Sequence, residues 1–107
     1  MTNEVVLPNA VAHNLYANSF SSGTPGQVEP WETAADACDD MTGGGAGGGT
    51  VYSPSTTLAQ GSVIFWDQNF IYPVNGGQLF LGTGAGRSFS EFRVDYNGIL
   101  MDEPDAC

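Results

Sequence analysis

The chain of 107 residues contains no lysine, and two arginines and one histidine are its only basic side chains against twelve acids. The formal charge is −10, yet charged residues make up only 13% of the chain. An ordinary soluble domain carries about 25%. A polyanion with two cations does not neutralise phosphates, which argues against nucleic-acid binding. An anionic membrane surface repels it for the same reason. No apolar run approaches the ~18 residues that a bilayer span requires. The opening Met1-Thr2-Asn3-Glu4-Val5-Val6-Leu7-Pro8 lacks a basic stretch and a long apolar segment. With Met1 retained, a chain used without Sec export is the expectation.

Other absences bear on chemistry. The segment Gly82-Thr83-Gly84-Ala85-Gly86-Arg87-Ser88 has the texture of a nucleotide loop. It has arginine where the dinucleotide fingerprint needs its third glycine, no helix pattern follows, and a phosphate loop needs a lysine. A glycine-rich connection between strands is the simpler reading. His13 has no close-spaced cysteine or histidine to share a zinc ion with, and no serine lies in a nucleophile elbow. Asp36, Asp39 and Asp40, or Asp102, Glu103 and Asp105, offer oxygen ligands suited to Ca²⁺, but the EF-hand spacing is missing. Acids on a solvated face are the commoner case. The expectation is therefore no catalytic residue, no cofactor and no metal.

What the chain does contain is β-forming sequence punctuated by glycine. Residues 1–30 read as a polar arm. Within it Glu4–Leu7 has strand composition, Asn9–Ala17 fits two helical turns or an extended segment equally, and residues 19–27 read as a loop. Residues 31–107 read as one β domain. The acids and proline of Glu29-Pro30-Trp31-Glu32 suit a first helical turn, continued by Thr33–Met41. The tract Gly43-Gly44-Gly45-Ala46-Gly47-Gly48-Gly49 reads as a mobile loop over 42–50, because glycine has the most backbone entropy to lose on ordering. Strands are expected at 62–66, 70–74, 78–81, 91–96 and 99–101, with Val51-Tyr52 as an extra. Asn75-Gly76 and Asn97-Gly98 are expected to supply tight turns. In 91–96, Phe92, Val94 and Tyr96 share one face and Glu91, Arg93 and Asp95 the other. An antiparallel meander of this kind must close or stack, so a small β-sandwich or barrel of about five to seven strands is expected, with one short helix.

Cys38 and Cys107 each end an Asp-Ala-Cys tripeptide. Three states stay open: a bond between them, two free thiols, or a bond to another chain. A mutual bond would close a loop of roughly 70 residues and anchor the acidic tail 102–107. Arg87 and Arg93 either pair with carboxylates of this chain or bridge to a neighbouring subunit. Most of the twelve aromatics are expected in the core. Exposed Trp31 and Trp66 would instead offer stacking surfaces for sugar rings.

The arm over residues 1–20, the glycine tract 43–49 and the β body 50–101 together resemble small virion structural proteins of tailed phages, most nearly the capsid decoration or cement type. The resemblance is one of composition and organisation and involves no motif. It implies a non-enzymatic protein of the virion, assembled in the host cytoplasm. Such a protein would clamp major capsid or other virion subunits, often as a homotrimer. It also implies that the arm adds a strand to a neighbour, here through Glu4, Val5, Val6 and Leu7. With Arg87 and Arg93 these are the expected interface residues. The alternatives are an extracellular carbohydrate- or calcium-binding β module, or a filament or surface-layer subunit whose acidity keeps it soluble.

Overall fold

The computed structural model describes residues 9–107, so the expected strand at Glu4, Val5, Val6 and Leu7 lies outside the described residues. The fold is mainly β, in antiparallel sheets with one short helix. Its elements are β1 (Val11–Ala17), β2 (Ser19–Ser21), β3 (Gln27–Glu29), α1 (Ala34–Gly43), β4 (Gly47–Ser53), β5 (Leu79–Ala85), β6 (Ser88–Val94) and β7 (Asp105–Ala106). Five strands form a sheet in the order β4-β1-β5-β6-β7, and β2 and β3 pair as a separate ribbon.

The sheet is covered on both faces. On one, Leu15, Val51, Leu81, Phe92 and Val94 meet Leu58, Ile64, Trp66, Val74 and Leu100, with Phe20 and Val28 of the ribbon packed against them. On the other, Ala37 and Met41 of α1 join Trp31 against Tyr16, Phe80 and Phe89. Thr33 caps α1 by accepting the Asp36 N–H, and Gly44 ends it in the left-handed region at φ 79°. Trp31 precedes the helix and exchanges two backbone hydrogen bonds with Phe80, so the first turn starts later than Pro30-Trp31 suggested. Cys38 of α1 is bonded to Cys107, which ties the helix to the strand that closes the sheet.

Residues 9–30 do not stand apart as an arm. β1 lies inside the sheet between β4 and β5, and the expected loop 19–27 holds most of the ribbon. The glycine tract also departs from a loop over 42–50. Gly43 ends the helix, only three residues connect, and Gly47–Gly49 open β4 in register with β1. The reason is contact. A Cβ on Gly49 would strike the Phe20 ring, and one on Gly48 would come within 2.7 Å of Tyr16. Bare backbone lets aromatic rings lie against both faces of the strand.

The second layer is looser than a ladder. The runs 62–66 and 70–74 meet through a single bridge, Phe65 to Pro73, and 62–66 meets the returning segment 99–101 through another, Val63 to Ile99. Pro73 has no N–H, and the Asp67 carboxylate takes the N–H groups of Asn69, Ile71 and Tyr72. Asn75-Gly76 is not the turn centre. That position belongs to Gly77 and Gln78, both with positive φ, and the Leu79 N–H closes on the Gly76 carbonyl. Asn97-Gly98 does form its turn, held by the Asp95 carboxylate, and the chain returns to pair Leu100 with Val94.

Two outcomes follow for urea unfolding. Gly49→Ala should lower stability by about 1–3 kcal/mol through overpacking on Phe20, whereas Gly43→Ala, which has open space at a helical position, should raise it by roughly 0.5–1 kcal/mol. Reducing the Cys38–Cys107 bond should cost about 4 kcal/mol in the chain-entropy model, seen as a lower midpoint in reductant.

Candidate functional site

Two surfaces have geometry suited to a partner. The first is the outer edge of β4, which ends the five-stranded sheet. Tyr52 exchanges hydrogen bonds of 2.9 and 2.7 Å with Phe65, so its N–H and C=O point away from β1. Alternation along an antiparallel strand directs those of Gly48 and Thr50 the same way. Both residues are exposed, and neither has a further backbone partner among the described residues. Sheet edges are commonly guarded by charge, proline or a bulge. The segment Gly47-Gly48-Gly49-Thr50 carries no charge and no proline. A trough of about 570 Å³ runs beside it, between Thr24, Phe20 and Thr50.

The second surface is a groove of about 420 Å³ between the β2–β3 ribbon and the turn at 75–77. Pro25, Val28, Pro30, Trp66, Pro73 and Tyr96 supply its apolar lining, and Gln27 and Asn75 its side-chain amides. Tyr96 is 59% exposed, so it does not join Phe92 and Val94 in the core. Both tryptophans are buried. Trp31 donates from Nε1 to Asp40 at 2.7 Å, and Trp66 stacks edge-on against Phe20. Neither is a free platform; Trp66 reaches the groove only as part of its lining. Among the described residues, the exposed large apolar side chains are Ile71, Tyr72, Tyr96 and Ile99.

The two arginines part company. Arg93 is held within the chain, donating from Nε and Nη2 to the two Asp102 oxygens at 2.8 Å each. Its backbone N–H also reaches Asp102. This fork lowers the Asp102 pKa below its ordinary value. Arg87 sits in the turn between β5 and β6, exposed beside Met41 and Phe89, with no acidic partner among the described residues. His13 is half-buried, with Nε2 at 2.8 Å from the Ser55 carbonyl. The two acid groups are used differently. Asp40 holds Trp31, Asp102 holds Arg93 and Glu103 accepts the Gln60 N–H. Among the described residues, no three ligand side chains converge on a cation site.

Alternation puts Glu91 on the face of β6 opposite Phe92 and Val94, yet it is only 8% exposed. The sheet is covered on that side too, by α1 and the disulfide-anchored end of the chain. Glu91 stands opposite Asp105 in the β6–β7 register. Burial raises its pKa first, and then the charges of Asp105 and Asp102 raise it further, with Arg93 opposing.

No family model matches the chain, and no curated protein and no solved structure matches it either.

The two shifted carboxyls give opposite pH responses. Glu91 binds its proton more tightly folded than unfolded. Its contribution is full below its ordinary value of 4.5 and is lost as pH rises through the raised folded value. Asp102 contributes above its ordinary 3.8 and fails as pH falls through its lowered value. Glu91→Gln should therefore gain on the parent as pH rises above 4.5 and melt about 2–4 °C higher at neutral pH, as loss of a facing like charge implies. Thermal melts across pH 4 to 8 check the sign.

Proposed function

We propose that this chain is a non-enzymatic structural protein of a viral particle, of the capsid decoration type, that stabilises contacts between neighbouring subunits. The observation that supports this reading best is the open β4 edge. Gly48 and Thr50 present two N–H and two C=O groups in extended register, unguarded and beside a trough able to take side chains. Backbone pairing is the recognition chemistry available to a chain so poor in cations. It needs no charge complementarity, which a −10 chain offers only to a basic partner.

Arg87 adds a second contact on the opposite side of the sheet. A guanidinium beside Met41 and Phe89 suits a carboxylate at the rim of an apolar patch. In a homo-oligomer, the trimer being the expected form, exposed acids of another copy such as Glu32, Asp36 and Asp39 are available to meet it. The tail is fixed by Cys107 and by β7, so that end remains ordered while the edge and the Arg87 turn face a neighbour.

The test is Thr50→Pro. Its N–H points outward, so proline removes an edge donor without removing a bond to β1. We expect the parent chain to form an oligomer by light scattering and to occur in gradient-purified particles from its source. The variant should remain folded by near-UV circular dichroism and lose assembly by at least tenfold in concentration. A parent that stays monomeric and is absent from particles, or a variant that assembles unchanged, would defeat the proposal.

A further inference from the structure

The groove beside the β2–β3 ribbon has a chemistry that strand pairing at β4 does not use. None of its lining residues is acidic or basic, in a chain with twelve acids. Apolar surface comes from Pro25, Val28, Pro30, Pro73, Trp66 and Tyr96. Polar capacity comes from two primary amides. Asn75 accepts the Gly77 N–H at 2.9 Å through Oδ1, which leaves its NH₂ group without a partner among the described residues. The Gln27 side chain likewise has no partner there. Both amides share the groove with the Tyr96 side chain, which is 59% exposed.

We infer that this groove binds a neutral saccharide unit. The charge of the chain selects against anions, and a cation entering the groove finds no carboxylate in its lining. The ligand must instead present an apolar face to Tyr96 and Pro73 and several hydroxyl groups to Gln27 and Asn75. A pyranose has both, C–H bonds on its faces and hydroxyls around its rim. A proline-rich peptide matches the apolar half, but its spaced carbonyls give the amides fewer acceptors within one groove of this size. The inference is independent of the structural role proposed above, because the groove and the β4 edge are formed by different residues apart from the shared Trp66 ring.

The experiment is a ¹⁵N-NMR titration of the whole chain with cellohexaose, mannohexaose and chitohexaose in turn, and with a decaproline peptide. At least one oligosaccharide should shift the amides of Gly26, Gln27 and Gly77 saturably. Tyr96→Ala should weaken that binding about tenfold. Asn75→Asp keeps the acceptor for Gly77 but not the amide donors, and should weaken it comparably. Thr50→Pro should bind as the parent does, so failure of the assembly proposal and failure of this one are read separately. The inference is overturned if none of the three sugars shifts these amides at millimolar concentration. It is also overturned if decaproline shifts them more strongly, or if both groove variants bind unchanged.

Discussion

Everything in this fold rests on side chains packed directly against bare glycine backbone. Phe20 lies on Gly47 and Gly49, Tyr16 on Gly48, Trp66 on Gly26, Met41 on Gly82 and Val94 on Gly76. A small chain has little interior to work with. Letting a ring sit where a Cβ would be draws two layers together without large side chains on both sides. The same device explains why β4 is bare at its edge. A strand thin enough to be packed on both faces by Phe20 and Tyr16 has no charged or bulky side chain over Gly47–Thr50 with which to guard its outer hydrogen-bonding groups. Packing and exposure of the edge are thus one constraint seen twice.

Charge is handled with equal economy. One arginine is committed to Asp102, several acids serve as local acceptors for backbone N–H groups, and Asp67 and Asp95 hold turns in place of longer ladders. The exception is Glu91, buried opposite Asp105 where the last strand closes the sheet. The Cys38–Cys107 bond holds that closure against the repulsion. The network of acids, cation and disulfide therefore concentrates at the C-terminal edge, while the β4 edge opposite it carries no charge at all.

The β character, the short helix, the Asn97-Gly98 turn and the burial of Phe92 and Val94 were legible in the sequence. β1 was only half legible, its extended reading no better marked than a helical one, and for a physical reason. Its apolar residues fall at 11, 12, 15 and 16 because the strand is covered on both faces, by Leu15 on one and Tyr16 on the other, so clean alternation disappears. The glycine tract has no side chains and so no period to read, and its strand state is imposed by rings from distant positions. The segments around 64 and 72 have strand composition, but their hydrogen bonds go to single bridges and to Asp67. Neither candidate surface had a local signal. The groove joins Val28, Trp66, Asn75 and Tyr96 from four separate parts of the chain. The open edge is defined by which neighbour β4 lacks, a property of topology alone.

Residue-resolved hydrogen exchange before and after assembly tests the central claim most directly. In the isolated chain, the amides of Gly49 and Val51, which face β1, should exchange slowly, while those of Gly48 and Thr50 exchange fast. In the assembled state all four should be slow. Fast exchange throughout 47–51 in the isolated chain would contradict a packed glycine strand, and unchanged fast exchange at Gly48 and Thr50 after assembly would contradict its edge as the docking surface.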